Sequence, residues 1–383
     1  MAVPLLDLKR HYLPLATELE AVVLDVLRGG TYIGGPYVEK LEKQIADLCR
    51  CKRAVAVSSG TDAILVALMA LDIKPGDEII TTPYTFFATA GCIARLGAVP
   101  VFVDIDPLTF NIDKHLIARA VTPRTKAILP VHLYGQIADM DAINSIAAEH
   151  DLAVVEDACQ AIGASRDGKM AGAIGAVGCF SFYPTKNLSG IGDGGIVTTN
   201  DELLGEKIAI LRNHGMNPRY HHHLLGGNFR LDAIQCAPLT VKIPHLPEWN
   251  NKRRANATRY RQLFDKAGLT DSNFRGRGQF IGPGVTLPTE VTPGHIYHQY
   301  IIRVSSDHRD RLIAHLKARN IGCEIYYPVP LHLQECFKYL GHHDGDYPES
   351  ERASIESIAL PIFPELTDSE LEEVVTAIAD YFG

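Results

Sequence analysis

Residues 178–200 read GCFSFYPTKNLSGIGDGGIVTTN, and the single amine in this stretch is Lys186. No other lysine or arginine lies between Lys169 and Lys207. A lysine held among small, aromatic and glycine residues loses hydration, and its pKa falls. A neutral amine of this kind can act as a nucleophile. A lysine in a loop can also be simply solvated, so the stretch alone leaves both roles open.

The glycines from Gly190 to Gly195 match the GxGxxG spacing of dinucleotide-binding loops. That motif requires a strand before the glycines and a helix after them. Here the residues that follow, IVTT, predict a strand. We therefore interpret the glycines as a turn that permits close backbone approach. The chain contains neither GxxxxGKS nor GxxxxGKT, which argues against a P-loop ATPase.

Short apolar runs alternate with helical patterns around this stretch, and seven of them predict strands. They are Ala54–Val57, Asp77–Thr82, Val99–Val103, Lys126–Val131, Leu152–Val155, Cys179–Tyr183 and Gly195–Thr199. Apolar strands that alternate with helices indicate an α/β fold with a mainly parallel sheet covered on both faces. Such sheets bind ligands beyond the carboxyl ends of their strands.

The pattern changes after residue 200, where long helical stretches are followed by a smaller α/β unit. We predict helices over 201–213 and 229–268, a strand at Tyr297–Val304, a helix at Asp307–Asn320, a second strand at Cys323–Tyr327 and a final helix from Thr367. A chain of 383 residues also exceeds one ordinary core. We therefore predict a large domain with an N-terminal arm over 1–245 and a small C-terminal domain over 246–383.

Composition excludes several functional classes. The net charge of −8 argues against a general nucleic-acid binder. The eight cysteines show no CxxC spacing, which indicates neither a disulfide framework nor a zinc site. The N-terminal residues MAVPLLDLKRHY lack a signal-peptide core, and no apolar run is long enough for a membrane helix. We expect a cytoplasmic protein without a membrane partner.

Two further segments give Lys186 a chemical context. Ser58-Ser59-Gly60-Thr61 lies between a strand and a helix, where free N–H groups can bind a phosphate. The same sequence can also be a plain helix cap. Asp157 ends an apolar strand and is expected to face the ligand crevice. A lysine, a carboxylate and a phosphate cradle together suit pyridoxal 5′-phosphate (PLP), which the lysine binds as a Schiff base.

Several motifs in order resemble the DegT/DnrJ/StrS-type nucleotide-sugar aminotransferases, and the resemblance covers essentially the whole chain. The motifs are PLLDLKRHY, SSGTDAILVAL, VVEDACQAIGA, SFYPTKNLSGIGDGGIVTTND, LRNHG, GGNFRLDAIQ, YYPVPLHLQ and SIALPIFPEL. These are fold-type I PLP-dependent enzymes. The resemblance implies a large domain with a mainly parallel seven-stranded sheet between helices, and a smaller C-terminal α/β domain.

The resemblance also implies roles for particular residues. Lys186 would be the Schiff-base lysine, and Asp157 would hold the pyridine nitrogen. Further cofactor contacts would be Gln160 beside the ring hydroxyl, Gly60, Thr61 and Ser181 at the phosphate, Phe86 stacked on the ring (with Tyr84 as a near neighbour), and Asn228 reaching the phosphate from the second subunit. A homodimer with shared active sites is therefore expected.

The reaction implied is amino transfer to a nucleotide-linked keto-sugar. An amino donor, L-glutamate in most of the family, would convert PLP to pyridoxamine 5′-phosphate, and Lys186 would move the proton. Substrate contacts would come from Tyr183, Tyr220, Arg230, Tyr327 and His332. The neighbourhoods of Tyr220 and Tyr327 favour a 3-keto sugar by resemblance, with a 4-keto sugar as the alternative.

Three other readings compete with this one. A pyridoxamine-dependent sugar dehydratase would carry histidine in place of Lys186. A regulatory protein on the same scaffold would not need Lys186, Asp157 and Gln160 together. A PLP-dependent lyase of sulfur amino acids would be distinguished from a sugar aminotransferase by the substrates that it accepts, cysteine or cystathionine rather than a keto-sugar. The run His221-His222-His223 does not indicate a metal site, because adjacent residues do not face one point and no carboxylate cluster accompanies them.

Overall fold

A computed structural model describes residues 2–270 and 284–383, and eleven strands fall within them. In chain order they are β1 (Arg53–Val57), β2 (Glu78–Thr81), β3 (Val99–Phe102), β4 (Thr125–Ile128), β5 (Ala153–Asp157), β6 (Ser165–Arg166), β7 (Lys169–Met170), β8 (Val177–Ser181), β9 (Gly195–Thr199), β10 (Tyr300–Arg303) and β11 (Ser357–Leu360). All seven predicted strands of the large sheet are present, with ends that differ by a few residues.

The helices separate the strands in the order that an α/β fold requires. They are α1 (Leu8–Tyr12), α2 (Ala16–Gly29), α3 (Pro36–Cys49), α4 (Gly60–Ala70), α5 (Ala88–Arg95), α6 (Lys114–Ala120), α7 (Met140–Glu149), α8 (Glu202–Arg212), α9 (Ala233–Lys242), α10 (Leu246–Lys266), α11 (Ser306–Ala318), α12 (Pro348–Glu356) and α13 (Asp368–Phe382). The predicted helix over 229–268 is in fact two helices, α9 and α10.

The seven-stranded sheet has the order β1-β9-β8-β5-β4-β2-β3. The pairs among β8, β5, β4, β2 and β3 are parallel, whereas β9 runs antiparallel to both β8 and β1. Gly195 at the start of β9 lies opposite both Val57 and Ser181, the last residues of β1 and β8. The segments that follow β1 and β8 are therefore brought side by side at one edge of the sheet.

Apolar side chains cover both faces of this sheet. One cluster packs α3, α7 and α9 against it, and includes Leu41, Ile143 and Leu239. The other packs α4, α5 and α8 against the opposite face, and includes Leu65 and Ile93. Burial on both faces explains why the strands are apolar throughout rather than alternating.

The C-terminal region has its own core. The strands β10 and β11 pair antiparallel, and α11 and α13 pack around Ile302, Leu312 and Phe363. The helix α10 belongs to both cores, because Trp249 lies in the large-sheet cluster and Phe264 in the C-terminal one. The division of the chain at residue 245 stays a prediction.

The predicted strand at Cys323–Tyr327 is wrong. This segment makes only an isolated bridge, between Glu324 and Ala359, and the partner of β10 is β11 instead. Its last two residues turn toward the large sheet, where their backbone is hydrogen-bonded by tyrosine side chains. The final helix begins as predicted, with a capping box between Thr367 and Glu370. Among the described residues, no helix is long and apolar enough to cross a membrane.

Candidate active site

Lys186 lies in the loop between β8 and β9, half-buried at the carboxyl end of the sheet. Its backbone N–H donates to the carbonyl of Tyr183 at 2.8 Å. Burial lowers the pKa of the Lys186 amine, while the nearby Cys159 and Asp157 act in the opposite direction. Burial dominates, so the amine is more easily neutral than a solvated lysine.

The residue after this lysine is fixed from three sides. The Asn187 amide nitrogen donates to Asn250 Oδ1 at 2.8 Å and to the Ile296 carbonyl at 3.3 Å. Its oxygen lies 3.1 Å from His298 Nδ1, so the imidazole carries its proton there. Burial, and then the charge of Lys186, hold the pKa of His298 well below its usual value. A neutral imidazole therefore supports the loop without adding a competing charge.

Asp157 ends β5 and is 5% exposed. Its Oδ2 accepts a hydrogen bond from Thr89 Oγ1 at 2.7 Å, and its Oδ1 accepts from the Cys159 N–H at 3.2 Å. Thr89 belongs to α5, the helix that follows β2. The carboxylate is thus aimed by two fixed donors, as a group that must hold one position requires.

The N-terminus of α4 forms the third part of the site. Ser59 caps the helix by accepting from the Asp62 N–H at 3.0 Å, and the hydroxyls of Ser58 and Ser59 both donate to Asp62. The first helical N–H groups, at Gly60 and Thr61, have no intrahelical partners. A Cβ on Gly60 would lie 2.7 Å from Ser181 Cβ, so the helix start and the end of β8 are in contact.

Gln160 follows Asp157 by three residues and is almost fully buried. Its Oε1 accepts from the Tyr134 N–H at 2.8 Å, and its Nε2 donates to Tyr327 Oη at 3.0 Å. Burial, opposed in part by this hydrogen bond, raises the pKa of the Tyr327 phenol. A residue of the C-terminal region is thereby hydrogen-bonded to the large-domain site.

The structure separates the two aromatic candidates for ring stacking. Tyr84 is 0% exposed, and its hydroxyl lies 2.8 Å from both the Tyr326 carbonyl and Ser357 Oγ. Phe86 is 56% exposed, and its ring centroid lies 6.2 Å from that of Tyr327. Of these two residues, only Phe86 is exposed, and its ring lies near that of Tyr327.

Three of the other predicted residues are exposed, and a fourth lies near the predicted phosphate site at the start of α4. Asn228, Tyr183 and Tyr220 are exposed, and Tyr220 reaches 73%. The backbone of Arg230 forms a bridge with Val57 at the end of β1, immediately before the α4 cap. Its guanidinium donates to Asn213 Oδ1 at 2.8 Å, and its Nε is buried without a hydrogen bond among the described residues.

His332 lies in a different environment. It is almost fully buried, and its Nε2 pairs with Glu351 Oε1 at 2.9 Å while its ring packs against Tyr347 at 4.7 Å. Burial lowers the pKa of this imidazole. A contact between His332 and a substrate would require this packing to open.

The remaining histidines do not form a site. His132 is buried at the end of the β4 segment, with its Nε2 2.9 Å from Glu156 Oε2, so its role is structural. The three consecutive residues His221, His222 and His223 are exposed. Within residues 2–270 and 284–383, no group of three or more His, Cys, Asp or Glu side chains could hold a metal ion.

Sequence reasoning missed several supporting residues. Thr89 donates to Asp157, His298 lies 3.1 Å from Asn187, and Asn250 accepts from Asn187. Thr89 could have been found, because it lies in the PYTFFATA motif near Phe86. His298 and Asn250 could not, because more than 60 residues separate each of them from Lys186 in the chain.

The donor set fits a phosphorylated pyridine aldehyde. A half-buried amine with a lowered pKa, a fixed carboxylate and a helix N-terminus beside a serine hydroxyl converge where β1, β5 and β8 end. Together with the seven-stranded sheet and the smaller C-terminal region, these groups define a fold-type I PLP-dependent aminotransferase.

Residues 15–379 match the model of the DegT/DnrJ/EryC1/StrS aminotransferase family, and the chain belongs to this family. One curated relative, from Geobacillus stearothermophilus, is 49% identical over 100% of this chain and 99% of its own length, and is named a pleiotropic regulatory protein. Another, from Acidithiobacillus ferrooxidans, is 40% identical over 98% of this chain and 97% of its own. Its name is UDP-N-acetyl-3-dehydro-alpha-D-glucosamine 3-aminotransferase.

Solved structures agree with the fold. DesV of Streptomyces venezuelae, in complex with a ketimine intermediate, has a TM-score of 0.92 and 40% identity, over 99% of this chain and 98% of that one. NtdA from Bacillus subtilis, with bound pyridoxamine phosphate, has a TM-score of 0.87 and 31% identity, over 99% of this chain and 85% of that one. The predicted family, fold class and PLP cofactor are confirmed.

Proposed function

We propose that this protein transfers an amino group from L-glutamate to the 3-keto group of a nucleotide-linked sugar. The observation that carries the proposal is the pairing of Lys186, whose amine pKa is lowered by burial, with Asp157, which is fixed by two donors. The matches to relatives named as 3-amino-sugar transaminases cover 96–99% of those relatives' own lengths. Their names support the 3-keto assignment.

Residues of α4, β5 and β8 and of two loops would hold the cofactor. The N–H groups of Gly60 and Thr61 and the hydroxyl of Ser181 would bind the phosphate. Asp157 would pair with the pyridine nitrogen, Gln160 would donate to the ring oxygen, and Phe86 would cover one face. PLP supplies an electron sink when bound.

Lys186 would both bind the cofactor and move the substrate proton. Its amine must be neutral to accept a proton, and burial favours the neutral form. The hydrogen bonds of the Asn187 side chain fix the residue that follows Lys186 in the chain. The neutral His298 avoids a second cation there.

The substrate side of the site is open. Tyr183, Tyr220 and Arg230 would contact the sugar or its nucleotide, and a guanidinium is suited to a diphosphate. Asn228 is exposed, as a residue that reaches the phosphate of a second subunit must be. We include in the proposal a homodimer with shared sites and a cytoplasmic location.

A regulatory role without turnover is the second candidate, because the relative from Geobacillus stearothermophilus is named for regulation. The set of Lys186, Asp157, Thr89 and Gln160 weighs against it. A scaffold that only binds the cofactor needs neither a lysine with a lowered pKa nor a carboxylate held by two donors.

The first experiment is an absorption spectrum of the purified protein with PLP, before and after L-glutamate. We expect a yellow band that bleaches with glutamate, and no bleaching of the yellow PLP absorption in Lys186→Ala. Turnover with 3-keto and 4-keto nucleotide sugars would follow. An absorption band that does not change when L-glutamate is added would contradict L-glutamate as the amino donor. Turnover only with 4-keto sugars would contradict the 3-keto assignment.

A further inference from the structure

The segment Tyr326–Tyr327 connects the C-terminal region to the active site. The Tyr327 N–H donates to Tyr84 Oη at 3.1 Å, and the hydroxyls of Tyr84 and Tyr134 both bond the Tyr326 carbonyl. Tyr84 and Tyr134 are buried residues of the large domain. The backbone before Tyr327 is therefore fixed from both sides, and the side chain is held in one place.

The hydrogen bonds of Gln160 determine which end of its amide faces the site. Oε1 is taken by the Tyr134 N–H at 2.8 Å, and only an oxygen can accept that proton. Nε2 must then be the end beside Tyr327, to which it donates at 3.0 Å. An amide nitrogen has two protons, so the second remains for another acceptor.

The Tyr327 hydroxyl completes this arrangement. It accepts from Gln160, and it lies close enough to Asp157 for that carboxylate to affect it. Its ring is 6.2 Å from that of the exposed Phe86. Tyr327 therefore contacts Gln160, the predicted neighbour of the ring oxygen, through its hydroxyl and lies beside Phe86, the predicted ring-stacking residue, through its ring.

We propose that Tyr327 is a positioning residue for Gln160, and that it sets how strongly this amide donates to the ring oxygen of the cofactor. The proposal rests on the proposed function, which places Gln160 at that oxygen. It differs from the prediction that Tyr327 contacts the substrate. Without the Tyr327 hydroxyl, Gln160 loses one of the two bonds that fix its amide.

The effect is measurable without any sugar. A donor to the ring oxygen draws electron density from the ring and lowers the proton affinity of the adjacent nitrogen. In Tyr327→Phe we expect the pH midpoint of the visible absorption band to rise by about one unit, as the loss of a single hydrogen bond implies. Gln160→Met should raise the midpoint similarly, and adding Tyr327→Phe to it should cause no further rise.

Tyr326→Phe is the matched control. Its hydroxyl makes no hydrogen bond within the described part of the chain, so the midpoint should stay at the wild-type value. An unchanged midpoint in Tyr327→Phe, with a raised KM for the sugar, would overturn the proposal and leave Tyr327 as a substrate contact. Absence of the visible band from the wild-type protein with PLP would instead contradict the proposed function itself.

Discussion

Burial and charge act in opposite directions at Lys186. Desolvation lowers the pKa of the amine, whereas Asp157 and Cys159 raise it. The neutral form is the nucleophile, so the balance between the two effects sets the pH at which the lysine can react. The charge of Asp157 is needed at the cofactor but makes Lys186 less reactive at low pH.

This balance predicts a pH dependence for cofactor capture. The rate at which the apoprotein binds PLP covalently should rise with pH, because the neutral fraction of Lys186 rises. The midpoint of this rise should lie below the ordinary lysine pKa of 10.5. Stopped-flow absorbance would measure the midpoint.

Asp157→Asn provides the control for that profile. Removing the carboxylate charge removes a contribution that raises the Lys186 pKa, so the midpoint should move to lower pH. A shift to higher pH in this variant would show that Asp157 does not act on the amine as inferred.

Thr89 gives a second prediction at this scale. Thr89→Val keeps the shape of the side chain but removes the donor 2.7 Å from Asp157 Oδ2. A hydrogen bond to a charged group contributes about 1.5–3 kcal/mol, so we expect at least a roughly tenfold loss of PLP affinity. Equilibrium titration of the apoprotein would measure it.

Thr85→Val is matched to this variant. Thr85 Oγ1 lies 3.0 Å from Thr89 Oγ1 and does not bond Asp157. Its loss should change the PLP affinity much less. Equal effects of the two substitutions would show that packing, rather than the donor to Asp157, matters at this position.

Among the elements, the start of α4 packs closely against the end of β8. A Cβ on Gly60 would lie 2.7 Å from Ser181 Cβ and 3.0 Å from Cys159 Sγ. Gly60→Ala should therefore push α4 from β8, destabilise the protein by about 1–3 kcal/mol and weaken PLP binding. Urea unfolding and PLP titration would measure the two effects.

Gly29→Ala is the corresponding control. Gly29 is the last residue of α2, and a Cβ there would meet nothing within 4 Å. Its free energy of unfolding should be unchanged or slightly increased. If Gly60→Ala also left the free energy of unfolding and the PLP affinity unchanged, the close contact between α4 and β8 would not be needed for the phosphate site.

The elements also show what the sequence can predict. All seven strands of the large sheet could be found from apolar runs, because these strands are buried on both faces. The direction of β9 could not be read from composition, since a buried antiparallel strand has the same pattern as a parallel one. The segment Cys323–Tyr327 looks like a strand but follows tertiary hydrogen bonds from Tyr84 and Tyr134.

As with the strands, the site residues that lie next to strands could be predicted from the sequence, whereas their distant partners could not. Lys186, Asp157 and Gly60 each follow or lie between strands, where topology brings loops together. The segment Ser58-Ser59-Gly60-Thr61 was predicted to be a phosphate cradle or a helix cap, and Ser59 does cap α4 while Asp62 accepts from the hydroxyls of both Ser58 and Ser59. The burial of His332 depends on Glu351 and Tyr347, which no local pattern connects to it.

For the whole molecule, the proposed sharing of the site between two copies predicts complementation. Lys186→Ala and Asn228→Ala should each be nearly inactive alone. In a mixed dimer, one site combines the intact Lys186 of one subunit with the intact Asn228 of the other. Random reassembly of an equal mixture should recover roughly one quarter of wild-type activity, as a steady-state assay would show. No recovery after confirmed subunit exchange would mean that each site is complete within one subunit.

The pairing of β1 with β9 also has a consequence for how the chain folds. Arg53–Val57 can form its ladder only with Gly195–Thr199, more than 130 residues later in the chain. Contacts between residues so far apart in the sequence form slowly. Until they form, the apolar β1 has an unpaired edge through which the chain can aggregate. Because Gly60 follows β1 and Lys186 precedes β9, the cofactor can stabilise only chains that have already closed this pairing. PLP should thus slow unfolding of the finished sheet and leave the rate of its assembly unchanged.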